Sequence, residues 1–327
     1  MLYYISAAIA AIAVLLIMPP FIRRMHKQDF VGKDMNKYSK PAIAELGGVV
    51  VFLGFALGIF SSMFLSTYLQ SFSLDFTLLF AGFATIAMIA FVGFIDDIIG
   101  WKKGIRQWQH ALFPILAALP LMAISAGDTT MTLPFVGLVN LGIIFPLVII
   151  PLGITGASNA FNMLAGFNGL EATQGILITA TLTIIALITG NMTAAILGLA
   201  MIGALIAFLR FNWFPAKIFG GDSLTLMVGA NIAVMSIIGN MEIAGVILIS
   251  LYFIEFIIKA KHKFQSECFG LPQKSGKLSY NPKGGSLTHL VLRMGKNNLT
   301  EPQVTIIISI FQLSICIITL AIFFLKI

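Results

Sequence analysis

Asp96-Asp97, the stretch Asn159 through Gly169, and Gly220-Gly221-Asp222 are three short polar clusters, each at one end of an apolar run. Carboxylates and amides are costly at a membrane boundary, so such clusters mark groups that something there uses. Asn159 and Asn162 stand three apart and share one face if the segment is helical. Gly166 and Gly169 permit turns or close backbone approach. Amides both donate and accept, which suits a base or a sugar, and an amide oxygen also ligates Mg2+. Gly220-Gly221-Asp222-Ser223 opens an apolar run. The helix N-terminus there suits phosphate oxygens, and a carboxylate at Asp222 could hold the divalent ion that neutralises them. Asp96 and Asp97 close another run, where the helix dipole opposes negative charge. Adjacent helical residues point about 100° apart, so one carboxylate can face a reaction while the other orients a neighbour. Together the clusters fit metal-assisted chemistry on a phosphorylated substrate. Plainer readings stand beside this one. Asp222 or Ser223 is a natural N-cap, Asn-Gly pairs form ordinary turns, and the aspartates could simply pair with Lys102, Lys103 or Arg106.

The elements that must position these groups are membrane helices. Of the 327 residues 58% are hydrophobic, only 10% are charged, and the mean hydropathy is +0.98, far more apolar surface than a soluble core needs. Runs of about 20 apolar residues cross roughly 30 Å of hydrocarbon. Ten occur, near 2–22, 47–67, 76–95, 109–126, 135–153, 172–189, 193–210, 224–240, 242–260 and 303–325. The expected fold is therefore all-α and polytopic, one membrane domain over residues 1–327. The connections after runs 1, 3, 7 and 9 hold six, three, two and eight Lys or Arg, nineteen of the twenty in the chain. Positive charge marks the cytoplasmic side. That places the three clusters at the cytoplasmic face and both termini outside, in a multi-pass protein of the cell membrane.

The same orientation rule accounts for the basic pI near 9.4, so nucleic acid is not an expected partner. Cys268 and Cys316 form no disulfide or metal framework. The first run is followed, not preceded, by positive charge, which argues for an anchor over a cleaved signal. Gly127 to Pro134 is Thr-rich and alternating, compatible with either a small hairpin or a plain loop.

Longer motifs carry a resemblance. Asn159-Ala-Phe-Asn-Met-Leu-Ala-Gly-Phe-Asn-Gly-Leu-Glu171 is similar to the signature of the polyprenyl-phosphate N-acetylhexosamine-1-phosphate transferase family, closest to its dolichyl-phosphate N-acetylglucosamine branch. Bacterial relatives typically carry Asp at the positions of Ala165 and Asn168. The likeness extends to Gly32-Lys-Asp-Met-Asn-Lys37 with Pro41 to Gly48, to Asp96-Asp97, and to Trp213-Phe-Pro-Ala-Lys-Ile-Phe-Gly-Gly-Asp222. Lys274-Ser-Gly-Lys-Leu278 and Asn298-Leu-Thr300 are weaker echoes.

This resemblance implies transfer of a sugar 1-phosphate from a UDP-N-acetylhexosamine to polyprenyl or dolichyl phosphate, with release of UMP. It implies Asn162 and Asp222 as ligands of Mg2+, with Mn2+ as an alternative ion, and Phe219 stacked on uracil. Glu45 and Asn168 would help hold the nucleotide, with Asn159 and Lys102 also on the substrate. Asp96 and Asp97 would assist the attack of the lipid phosphate, and Arg106 stands where the family usually has a phosphate-binding Lys. Gly100 replaces a common acidic residue. The last cytoplasmic connection offers His262, Lys263, Lys274 and His289 without reproducing the family's His- or Arg-rich motif. Membrane lipids are expected surroundings, and homodimer formation is left open. The competing readings are the same chemistry on another UDP-sugar or a cell-wall lipid carrier, and an ion-coupled transporter or lipid flippase, whose carboxylates would sit near mid-bilayer.

Overall fold

Among the described residues of the computed structural model, seven helices are long and apolar enough to cross a membrane, namely Leu2–Lys27, Gly47–Leu69, Phe76–Ile99, Phe145–Met163, Leu170–Ile188, Met192–Asn212 and Glu301–Phe324. Within them lie α1 (Ile5–Lys27), α2 (Gly47–Leu69), α3 (Phe76–Gly100), α6 (Ile150–Met163), α7 (Leu170–Ile188), α8 (Met192–Asn212) and α13 (Glu301–Phe324). The structure describes residues 2–100, 107–133, 137–282 and 284–325. The remaining apolar runs form shorter pieces. They are α4 (Gln107–Ala117) with α5 (Leu119–Ala123), α9 (Asp222–Ile238), and α10 (Glu242–Leu248) with α11 (Ser250–Lys261), the last two bent by 53° at Ile249.

The fifth expected run is displaced. Residues 137–140 do not begin a helix but form β4 (Gly137–Asn140), antiparallel to β3 (Thr130–Leu133), so the helix starts at Phe145 instead. The alternating character of this segment wins over its hydropathy.

In lipid, apolar contact between helices gains little over contact with acyl chains, so close approach and polar bonds decide the packing. α9 lies against α3 and α6, and α8 against α1 and α7. A Cβ at Gly229 on α9 would sit 2.5 Å from the Ala157 carbonyl oxygen of α6, so glycine sets that crossing distance. Gln174 on α7 donates to Ser309 on α13 at 3.1 Å. Gln312 on α13 donates to the Leu248 carbonyl at 2.9 Å, satisfying an acceptor that the break at Ile249 leaves over.

Two further small sheets sit among the connections. β1 (Val31–Lys33) pairs antiparallel with β2 (Ala42–Ala44), and β5 (Leu271–Pro272), β6 (Lys277–Ser279) and β7 (Leu299–Thr300) form a three-stranded sheet beside α12 (Leu287–Met294). The last connection is thus a folded cap and not a loop. Backbone and side-chain bonds join it, the first connection, the signature stretch and residues 213–221 at one end of the bundle.

Candidate active site

The start of α9 is built from three directions. Phe219 N–H donates to Ala44 at 2.8 Å, Gly47 N–H to Phe219 at 2.9 Å, and Gly48 N–H to Gly220 at 2.8 Å, which locks residues 218–221 to the entry of α2. A Cβ at Gly93 on α3 would lie 2.5 Å from the Asp222 carbonyl oxygen, so the end of α3 abuts the same point. The N-cap of α9 is Gly221, which has no side chain to cap it. Asp97 does so from α3, with Oδ1 accepting from Asp222 N–H at 2.6 Å and Oδ2 from Ser223 N–H at 3.1 Å. These are the orphan donors of a helix start, and a carboxylate there also meets the favourable end of the dipole. Gly221 has φ of +75°, and a Cβ on it would come within 2.5 Å of the Asp97 carboxylate, so only glycine fits.

With its backbone N–H so held, Asp222 lines a cavity of about 220 Å3 together with Asn162, Phe219, Glu45, Asn168 and Glu171. Asn162 closes α6, and its Oδ1 accepts from Thr225 Oγ1 at 2.9 Å. Glu45 reaches across Gly32, whose Cβ would touch its Oε1. Burial, with the Asp97 charge adding to it, pushes the Glu45 carboxyl above the ordinary glutamate range. Asn168 is buried, and its side chain donates to Asp34 Oδ2 at 3.2 Å. Asp96 is buried beside Asp97. Neither aspartate is among the cavity-lining residues. Lys102 and Arg106 lie outside the described residues.

A second, larger space of about 680 Å3 has Asn162 in common with the first as a lining residue. Its walls are mostly apolar, from Met163, Phe253, Phe256 and Phe264, with Asn159, Ser266 and Lys259 among the polar ones. Asn159 and Asn162 thus do share a helical face, and it is the face toward this groove. Lys259 binds the Met163 carbonyl and lies 3.6 Å from Glu255, one turn earlier on α11.

Several lining or supporting residues carried no role in the sequence reading. Asn212, 3% exposed, accepts from Gly169 N–H at 3.1 Å and donates to the Ile218 carbonyl at 2.9 Å, joining two motifs. Glu171 accepts from Gly166 N–H at 2.6 Å. Phe269, from the last connection, packs on Gly166 and lines the cavity. The position of Asn212, directly before the Trp213 motif, was an available signal, whereas nothing local flags Phe269. Of the last-connection candidates, His289 is buried, with Nε2 donating to the Phe269 carbonyl at 3.0 Å. Burial pushes its imidazole below the ordinary histidine range, so it is neutral at pH 7.

Among the described residues no group of three His, Cys, Asp or Glu could cage a metal by itself; the Asp222 carboxylate, the Asn162 amide and the Thr225 hydroxyl, in a cavity that Asp34, Glu45 and Glu171 also line, suit a hard divalent cation that takes its other ligands from phosphate and water. Polar groups in one space and apolar walls in the other, with Asn162 common to both, suit a water-soluble ligand beside an apolar one.

Comparison with known proteins agrees. The sequence model of glycosyl transferase family 4 matches residues 79–240. A Saccharolobus solfataricus protein, provisionally named a UDP-N-acetylglucosamine–dolichyl-phosphate N-acetylglucosaminephosphotransferase, is 40% identical over 289 residues, which cover 88% of this chain and 86% of the relative. A Sulfolobus acidocaldarius protein of the same provisional name is 38% identical, covering 83% and 81%. A phospho-N-acetylmuramoyl-pentapeptide-transferase of Latilactobacillus sakei is 33% identical over 64% of this chain and 66% of its own. The chain belongs to glycosyl transferase family 4.

Proposed function

We propose that the chain transfers N-acetylglucosamine 1-phosphate from UDP-N-acetylglucosamine to dolichyl or a related polyprenyl phosphate. The products are the lipid diphosphate sugar and UMP, in the first step of lipid-linked oligosaccharide assembly for protein N-glycosylation. The observation that carries this reading is that Asn162 lines both a cavity carrying Asp222, Glu45 and Asn168 and a mostly apolar groove, the two kinds of surface that a nucleotide diphosphate and an isoprenoid would need. The names borne by the archaeal relatives support the substrate pair.

In this reading Phe219 offers its ring to uracil, Glu45 and Asn168 flank the nucleotide, and Asp222 and Asn162 hold Mg2+, with Mn2+ an alternative. The ion, when bound, offsets negative charge on the diphosphate. The lipid tail lies along Phe253, Phe256 and Phe264, with its phosphate near Asn159 and Lys259. An oxygen of the lipid phosphate attacks the β-phosphorus of the nucleotide sugar in line. The bond from that phosphorus to the bridging oxygen breaks, and UMP leaves with the oxygen and its charge. The phosphate oxygen is already deprotonated at neutral pH, so no enzyme nucleophile is required. We assign Asp97 to orienting Asp222 through the start of α9, and Asp96, with Lys102 and Arg106, to assisting the lipid phosphate. The clustered basic connections support a cytoplasmic face for this end and ten crossings, the short and bent helices completing the seven long ones.

The test is UMP release by purified protein given Mg2+, polyprenyl phosphate and a panel of UDP-sugars. UMP with UDP-N-acetylglucosamine alone is the expected result, and activity only with another sugar would keep the chemistry and reassign the pathway.

A further inference from the structure

The motif Gly32 to Lys37 is part of the family likeness, and of its two buried members Asp34 lines the cavity whereas Asn36 is not among the lining residues. Asn36, 5% exposed, bridges three parts of the chain. Its Nδ2 donates to the Gly166 carbonyl at 2.8 Å and approaches Glu301 Oε1 at 3.4 Å, while its Oδ1 accepts from Gly270 N–H at 3.0 Å. Glu301 opens α13 and is 1% exposed. Its Oε1 also accepts from Asn168 N–H at 2.8 Å, and its Oε2 lies 3.5 Å from Lys37 Nζ. Lys37 in turn pairs with Asp34, whose Oδ2 receives Asn168 Nδ2. Thr305, one turn along α13, donates to the Asn168 carbonyl at 3.3 Å.

Two of the backbone groups held this way belong to parts of the cavity lining that come from distant stretches of the chain and touch there. Gly166 and Asn168 form the signature wall, and Gly270 follows Phe269, whose ring rests on Gly166. A buried charged group with this many bonds is costly to assemble and is worth assembling where geometry must be fixed. We propose that Asn36 and Glu301 are positioning residues that clamp the signature stretch 164–169 against the last connection, fixing the lining of the nucleotide-sugar side of the cavity. The clamp rests on the function proposed above for its purpose, though not for its existence.

The experiment pairs hydrogen–deuterium exchange with kinetics on the full-length protein in detergent, for Asn36→Ala, Glu301→Ala and Glu301→Gln. In the clamp, exchange rises together in residues 164–171 and 268–270 for both alanine variants, while the central helices α8 and α9 stay protected. The KM for the UDP-sugar rises about tenfold or more, with kcat within about threefold and the KM for lipid phosphate unchanged. Glu301→Gln, which keeps an acceptor for Asn168 N–H, gives a smaller change. Unchanged exchange in either segment overturns the proposal. So does a fall in kcat alone, in proportion to lost folded protein, because that is the mark of a merely structural role. A wild-type protein that turns over no UDP-sugar would sink the proposed function, and the exchange data would still decide whether the clamp exists.

Discussion

The polar cavity and the apolar groove share Asn162 but are built in opposite ways. The cavity is assembled from short connections that converge from distant parts of the chain, and hydrogen bonds fix its walls: Asp97 to the start of α9, Asn212 between two motifs, and Asn36 and Glu301 across the signature stretch. The groove is made by two helices, α6 and α11, and the Phe264 turn, and side-chain bulk shapes it. The difference follows from the ligands each would take. A nucleotide diphosphate needs oxygens and donors held at fixed places, because a polar group left unpaired in a buried site costs about 1 to 3 kcal/mol. A flexible isoprenoid needs apolar area and tolerates loose walls.

The two regions should therefore fail differently when altered. Asp222→Ala removes a proposed ion ligand while leaving the backbone N–H that Asp97 binds. The expectation is a loss of roughly a thousandfold in kcat/KM, with the melting temperature nearly unchanged, measured by UMP release and by thermal unfolding in detergent. Asp97→Ala strips the cap instead. It should cost about 10- to 100-fold in rate, as loss of an orienting partner does, and also about 1 kcal/mol or more of stability, seen as a lower melting temperature. A variant pattern in which Asp222→Ala unfolds the protein and Asp97→Ala leaves its stability untouched would reverse the assigned roles.

In the groove, Phe256→Ser should raise the KM for a long polyprenyl phosphate about tenfold, the scale of one partly desolvated aromatic side chain, with little effect on a short-chain analogue and none on the UDP-sugar. Equal effects on both substrates would erase the distinction between the two regions.

The smallest effect is at Glu45. Its pKa is raised by burial and then by Asp97, so the folded protein holds the proton more tightly than the unfolded chain. Stability from that difference is fully present below the ordinary glutamate value of 4.5 and is lost as pH rises through the higher folded value. Glu45→Gln should therefore melt slightly higher than the natural protein at pH 7, and the gap should close near pH 4. Thermal scans at the two pH values check the sign.

Much of this was readable beforehand because membrane helices and their polar ends obey strong rules. The apolar runs placed α1, α2, α3, α7, α8 and α13, and the spacing of Asn159 and Asn162 put them on one face of α6. The fifth run misled because Gly137 to Asn140 is apolar enough to pass as a helix, and only its pairing with residues 130–133 reveals a strand. Asp222 stood out at a helix start, but its cap did not, since the capping carboxylate lies 125 residues away on α3. Glu301 looked like an ordinary acidic residue in a first helical turn, a place where such residues are favoured for local reasons. Its bond to Asn168 spans 133 residues, and no window on the sequence contains both. Motifs reveal which groups are present, while long-range pairings decide which of them hold the site and which line it.

The central claim is that phosphorus moves with the sugar from a nucleotide in the cavity to a lipid in the groove. The most direct measurement gives the protein UDP-N-acetylglucosamine labelled with 32P at the β-phosphate, together with polyprenyl phosphate and Mg2+, and follows the label into organic solvent. The expected result is label in the lipid phase in equal amount to UMP in the aqueous phase. Label that stays aqueous as UDP while the sugar enters the lipid would show plain glycosyl transfer and contradict it.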